Sequence, residues 1–186
     1  VARRRRILDA GAALFEAKGF EGATTDDIAA EAQVTKRTLY RYVGSKEELL
    51  YEIHEDFMSA LVDEVGGLDG TPEARFTAMV AAHIADLAAH LPYIKVFFEE
   101  IKHLTPGKRA QLVERRESYE RMVNDILADG VADHSFRSLD VRVTTRALLG
   151  AMNEGYRWYR EAAGHGPEAI ARQAAHLFLN GLASPS

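Results

Sequence analysis

The 186-residue chain contains no cysteine. That excludes a disulfide framework, thiolate catalysis and the small secreted scaffold that depends on staples. No window of about 18 uncharged apolar residues occurs, so a membrane-spanning helix is not expected. A basic stretch, Arg3 to Arg6, precedes Ile7 and Leu8 in the manner of a signal peptide, but Asp9, Glu16 and Lys18 interrupt the apolar run. It reads instead as a basic arm. Strand-like alternation is scarce. Catalytic signatures are missing too: there is no Gly-x-Ser-x-Gly elbow and no phosphate-loop Gly-Lys-Ser/Thr. Proline occurs five times, and Pro72, Pro92, Pro106 and Pro167 each stand where a helix could begin, a position that tolerates the missing N–H.

What remains is helical and of ordinary globular composition, 47% hydrophobic and 27% charged. Ile7, Leu8, Gly11, Leu14 and Phe15 recur at helical spacing, with Gly19 as a left-handed terminator, and predict a first helix from about Arg3 to Lys18. Thr24 with Asp27, and Ser45 with Glu48, are capping-box-like helix starts. Thr35 is a plausible N-cap for a short helix from Lys36 to Tyr42, separated by Gln33 and Val34 from a helix over Asp26 to Ala32. A long helix from Ser45 through Leu49, Leu50, Ile53, Phe57, Leu61 and Val65 forms a connector. Further helices are expected near 72–90, 92–103, 106–129, 139–161 and 167–182, with Gly130 to Ser138 as a turn. The expected fold is all-α, about nine helices, with a three-helix head at 1–46 and a helical bundle at 47–186.

Positive charge is in deficit overall, at -5, yet it is unevenly placed. Residues 1–46 hold nine Lys/Arg against six acids, a surplus of three, which leaves -8 for the remainder. A basic head on an acidic body suits a protein that touches phosphate at one end. Ile28, Ala29, Val34, Leu39 and Val43 can form the small core that fixes two short helices at an angle. Lys36, Arg37, Thr38, Tyr40, Arg41 and Tyr42 are then left toward solvent, on a helix short enough to enter a major groove by its N-terminal end. Lys36 and Arg37 can pair with guanine O6 and N7, and Thr38 can touch a thymine methyl. Thr25, Thr35, Tyr40, Arg41, Tyr42 and Lys46 complete the expected DNA-binding set. Tyr40, Tyr42, Thr25 and Lys46 serve the phosphates, which set register.

The run Thr24-Thr25-Asp26-Asp27-Ile28-Ala29, then Val34-Thr35-Lys36-Arg37-Thr38-Leu39-Tyr40-Arg41-Tyr42, then Ser45-Lys46-Glu47-Glu48-Leu49 resembles the DNA-binding signature of the TetR family of regulators. The resemblance implies a helix-turn-helix DNA-binding domain at 1–46, a ligand-binding and dimerisation domain at 47–186, a homodimer and a palindromic double-stranded DNA operator. The two recognition helices of such a dimer must lie about 34 Å apart, or a multiple of that, to enter successive major grooves. Gln33 departs from a common glycine, Arg37 from a common small residue and Val43 from a frequent phenylalanine. Non-specific architectural DNA binding is the alternative, and it predicts steep salt dependence without operator preference.

Toward the other end, Asn153, Trp158, Tyr159, Arg160 and the Gly181-Leu182 pair look like TetR-type regulators of fatty-acid and sterol breakdown, which respond to acyl-CoA thioesters. The Pro-Gly that often follows Trp-Tyr-Arg is absent. An acyl-CoA or related lipid and an unrelated apolar or drug-like molecule both stay open as the small-molecule effector. Met79, His83, Leu87, Phe97, Phe98, Tyr119, Met122, Leu149, Met152, Asn153 and Tyr156 are expected to converge on its pocket, with His83, Tyr119 and Asn153 as polar anchors. Arg109, Arg115, Arg116 and Arg160 could meet a CoA phosphate. The last helix is apolar on two rows, Ile170–Ala174–Leu177–Phe178–Gly181 and Ala171–Ala175–Leu179–Leu182. One row is expected to pack on its own subunit and the other on a symmetry mate, with Ala171, Ala174, Ala175, Phe178 and Leu182 assigned to the dimer interface. Ligand is expected to shift the connector helix and change the separation of the recognition helices.

No catalysis, cofactor or metal is expected. Glu100-x-x-His103 has di-iron spacing but no second copy. His83 and His90 lie two turns apart without tightly spaced partners, and Gly164-His165-Gly166 follows a helix rather than a strand. A metal-binding helical bundle is therefore the remotest alternative. A regulator of this composition belongs in the cytoplasm, without a membrane partner.

Overall fold

Helix α1 (Ala2–Gly22) begins in the basic stretch and buries Ile7, Leu8, Ala10, Gly11, Ala12 and Phe15, the face its spacing predicts. Its regular part ends at Gly19, whose φ of 72° is the left-handed conformation that favours glycine. The computed structural model describes residues 2–159 and 164–182. Beyond α1 follow α2 (Thr25–Glu31), α3 (Lys36–Val43), α4 (Lys46–Gly66), α5 (Pro72–Ala89), α6 (Leu91–Glu100), a 3-10 turn at Ile101–His103, α7 (Pro106–Ala132), α8 (Val141–Asn153), the single turn α9 (Gly155–Trp158) and α10 (Pro167–Leu182). Among the described residues no strand forms. The all-α architecture, a helix-turn-helix followed by a helical bundle, is the one the sequence predicts.

Two compact units emerge, one of Val1–Met58 with His90–Glu114 and the other of Ser59–Ala89 with Arg115–Ser186. In the first, α1 packs on α2 and extensively on α6. Its core joins Ile7, Leu8 and Phe15 to Ile28, Ala29, Leu39, Val43, Leu49, Leu50, Ile53, Val96 and Leu112. The small core expected between α2 and α3 is present, with Val34 half-buried against it. Gly11 lets α1 and α4 approach closely: a methyl there would come within 2.7 Å of Leu49 Cδ2.

The basic stretch is not a free arm, because the first turns of α1 place it against acids. Arg4 pairs with Asp56 at 2.8 Å and Glu52 at 3.0 Å, and Arg5 with Asp56 and Asp9, each at 3.1 Å. The Tyr93 hydroxyl donates to Asp9 at 2.6 Å, and burial together with that bond pushes its phenol up. His54 on α4 is fully buried, edge-on to Phe97 with ring centroids 4.8 Å apart. Neither ring nitrogen has a hydrogen-bond partner among the described residues. Burial lowers its pKa to about 3.

The turn between α2 and α3 shows what replaces the common glycine. Gln33 takes φ 53°, and the chain closes through Gln33 N–H to Ala30 O at 3.0 Å and Val34 N–H to Ala29 O at 2.9 Å. A left-handed side-chain-bearing residue costs about 1 kcal/mol, partly offset by the entropy a glycine would add to the unfolded chain. Gln33→Gly is therefore expected to stabilise the protein by about 0.5 kcal/mol in urea denaturation, with operator binding retained.

In the second unit, α10 packs extensively on α5, burying Ala171, Ala175 and Leu182, and Arg137 N–H donates to Leu182 O at 2.8 Å. Two boundaries differ from expectation. Gly130 lies inside α7 rather than opening a turn, since its lack of a side chain makes room for the fully buried ring of Phe136, and the Phe136 backbone N–H donates to Gly130 O at 2.7 Å. The helix expected over 139–161 stops at Asn153 and resumes as α9. Gly155 lies so near α5 that a methyl there would stand 2.9 Å from Leu87 Cδ1. The remainder of that helix, from Arg160 to residue 161, lies outside the described residues.

Candidate nucleic-acid interface and effector cavity

Local chemistry fixes both helices of the N-terminal pair. Thr24 Oγ1 accepts from Asp27 N–H at 3.1 Å while the Asp27 carboxylate accepts from Thr24 N–H, the reciprocal box its sequence predicts. A hydrogen bond from Lys18, added to those from Thr24, holds the Asp27 carboxyl below its ordinary range. Thr35 caps α3, its Oγ1 accepting from Thr38 N–H at 3.1 Å, and the two hydroxyls lie 2.9 Å apart. Leu39 and Val43 point inward. Lys36, Arg37, Tyr40, Arg41 and Tyr42 are exposed and Thr38 half-buried, so the expected outward set sits on one short helix.

The individual groups differ in readiness. Arg37 makes no hydrogen bond or ion pair among the described residues. Lys36 Nζ instead donates to Asp26 Oδ2 at 2.9 Å, a bond that holds its ammonium above the ordinary lysine range. The Tyr40 hydroxyl donates to Thr25 Oγ1 at 3.3 Å, which places those two expected phosphate ligands side by side. The Arg41 guanidinium lies over the Tyr42 ring, 5.6 Å from its centroid.

Lys46 has a different partner from the expected phosphate. Its ammonium donates to Phe20 O at 2.7 Å and Ala23 O at 3.1 Å and sits 4.3 Å above the Phe20 ring. Two of its three donors thus satisfy carbonyls near the end of α1, and one at most is left for DNA. Nothing in the spacing of Lys46 announces this, because α1 meets α4 through tertiary packing.

The expected effector residues are divided between the two compact units. Phe97 and Phe98 belong to the first unit and the other nine to the second. Met79, His83, Leu87, Tyr119 and Met152 are buried, whereas Met122, Leu149, Asn153 and Tyr156 are half-buried. His83 Nδ1 lies 3.0 Å from the Tyr119 hydroxyl, and burial lowers the histidine to about pKa 4 while raising the phenol. A cavity of about 800 Å³ does open in the second unit, lined by Ile84, Met152, Trp158, Ala174, Leu177 and Phe178 among others, with His165, Arg172 and Gln173 supplying polar groups. Met152 is the one expected effector residue on its wall. Arg160, an expected phosphate partner, lies outside the described residues.

The same cavity divides the α10 rows. Ala171, Ala175 and Leu182 are buried within their own subunit, so these three cannot present themselves to a partner as expected: helical spacing shows that two rows exist, but α5 selects which one it covers. Ala174 and Phe178 belong to the open row, together with Leu177, whose exposure of 66% was not assigned to the interface.

A capped helix pair with an outward cationic and aromatic face, borne on an otherwise helical chain, defines a DNA-binding transcriptional regulator of the helix-turn-helix class. The chain belongs to the TetR family: residues 7–53 match the family described as bacterial regulatory proteins, tetR family, and residues 69–182 match the tetracyclin repressor-like C-terminal domain. It is 32% identical to the HTH-type transcriptional repressor KstR2 of Rhodococcus jostii, across 98% of this chain and 92% of that protein. Its identity to KstR2 of Mycolicibacterium smegmatis is 29%, covering 97% of this chain and 90% of the relative. The crystal structure of the TetR family transcriptional regulator PfmR from Thermus thermophilus superposes with a TM-score of 0.88 at 32% identity, over 94% of this chain and 97% of that one. Among the described residues no helix is long and apolar enough to cross a membrane.

Proposed function

We propose that this protein is a cytoplasmic, non-enzymatic repressor that binds a palindromic operator as a homodimer and is released by a small apolar or acyl-CoA-like effector. Residues 1–46 serve DNA and residues 47–186 serve ligand and dimer. The observation that carries the reading is α3: a Thr35-capped helix with Leu39 and Val43 buried, and with Arg37 exposed and unengaged among the described residues at its N-terminal end. That is where a recognition helix meets base edges. The bases fall to Arg37 and Lys36 with Thr38, and the phosphates to Thr25, Thr35, Tyr40, Arg41, Tyr42 and the remaining Lys46 donor. The open α10 row of Ala174, Leu177 and Phe178 is the face for a second copy.

For the effector, the second unit offers His83, Tyr119 and Asn153 as polar anchors beside the apolar Met122, Leu149 and Met152, the combination an acyl chain with a polar head requires. Because α4 has residues in both compact units, its displacement is the means by which ligand changes the spacing of the recognition helices.

Selection of duplexes from a random pool, followed by fluorescence anisotropy, tests this reading. The wild-type protein should enrich one palindrome and bind it at least about a thousandfold more tightly than a scrambled duplex. Arg37→Ala should flatten preference at one position in each half-site, costing about 1–3 kcal/mol there. Titrating a panel of acyl-CoAs against the preformed complex should release DNA, and the operator should weaken effector binding by the same factor. Binding without sequence preference would favour an architectural role instead.

A further inference from the structure

The patch around the start of α3 contains an acid among the groups assigned to DNA. Asp26, in the first turn of α2, bonds Lys36, in the first turn of α3, while its neighbour Thr25 is bonded by Tyr40. Both partners of the ion pair face solvent, with side-chain exposures of 71% for Asp26 and 48% for Lys36. The pair therefore contributes little to folding. Its position matters more. A carboxylate presents an ammonium with the same kind of anionic oxygen that a phosphate does, so Asp26 competes with a duplex for Lys36 and offsets its charge. When Lys36 leaves, Asp26 becomes an unpaired anion facing a polyanion. Arg37, one residue away, bears no such restraint among the described residues.

This asymmetry separates the two kinds of complex. Indiscriminate duplex binding is almost wholly electrostatic, and a phosphate gives Lys36 only what Asp26 already provides. An operator guanine accepts at both O6 and N7, which lets the correct base draw the lysine away. We propose that Asp26 is a positioning residue that limits the affinity of operator recognition: it holds the Lys36 ammonium as an internal stand-in for phosphate, against which every duplex must compete. The proposal rests on α3 being the recognition helix.

The experiment is a double-mutant cycle of wild type, Asp26→Asn, Lys36→Met and the double variant. Affinities for the selected operator and a scrambled duplex are measured by anisotropy over a range of salt. Asp26→Asn should tighten binding to the scrambled duplex by about fivefold or more and steepen its salt slope by about 0.9 per additional phosphate contact. Operator affinity should rise at least as much, because it is there that the wild-type lysine gives up Asp26 on binding. In the Lys36→Met background the same change should lose most of its effect on both duplexes. The inference is overturned if Asp26→Asn acts equally with and without Lys36, which would make Asp26 a bare repulsive charge, or if it tightens the scrambled duplex more than the operator or leaves both unchanged. A wild-type protein without operator preference would overturn the recognition-helix reading, whereas intact preference with no Asp26–Lys36 coupling would overturn this inference alone.

Discussion

At pH 4 the protein is expected to be about 3 kcal/mol less stable on account of each of two buried histidines, His54 in the first compact unit and His83 in the second. Burial lowers them from 6.5 to about 3 and about 4 respectively. Between those values and 6.5 the unfolded chain takes up protons that the folded chain excludes, so stability is full above pH 6.5 and declines as pH falls. His54 gives the cleaner test. Its two nitrogens lack partners among the described residues, and its ring lies against Phe97 in an apolar core. Leucine is close to it in volume, carries no polar atom and cannot titrate. His54→Leu is therefore expected to stabilise the protein at pH 7 by about 1–3 kcal/mol, and its advantage over wild type should widen by about 3 kcal/mol at pH 4. Urea denaturation of both proteins at a series of pH values, followed by circular dichroism, measures that difference. Carboxylates that titrate in the same range cancel in the comparison. Parallel pH profiles for the two proteins would show that His54 is not held neutral by the fold.

The N-terminal architecture was legible because its signals are local. Caps at Thr24 and Thr35 act within three residues, the Leu39–Val43 spacing sets the buried face of α3, and Gln33 could be assigned a left-handed turn from its place between two helices. What escaped the sequence was set by contacts distant along the chain. The engagement of Lys46 by Phe20 and Ala23, and of Arg4 by Asp56, spans more than twenty and fifty residues respectively. Gly130 looked like a turn residue, since a glycine that makes room for a ring six positions later is indistinguishable in sequence from one that breaks a helix. Residue type alone does not tell a pocket from a core, because apolar side chains on converging helices fill a core at least as readily as they line a cavity. Met152 does the second, while Met79 and Leu87 do the first.

Helix α10 makes the remaining prediction. Its two apolar rows need two surfaces, and α5 covers the row of Ala171, Ala175 and Leu182. The other row borders an open cavity with Leu177 and Trp158 exposed at 66% and 41%, an apolar surface suited to a protein partner. A second copy of the chain meets this need with the symmetry a palindromic operator demands, because an isologous interface brings the same patch from both subunits together. Leu177→Glu would introduce a charge on each side of that contact, adding repulsion and desolvation where there was apolar burial. The variant is expected to sediment as a monomer. Its operator affinity should fall by about a hundredfold to ten-thousandfold, since each recognition helix would lose the effective concentration supplied by its tethered partner. Its thermal stability should fall only by what dimerisation contributes, because Leu177 already faces solvent within its own subunit. Sedimentation velocity and anisotropy on the full operator and on a single half-site separate the outcomes: weakened full-site binding with unchanged half-site binding assigns the loss to dimerisation. A Leu177→Glu protein that remains dimeric and keeps its operator affinity would move the interface off this row.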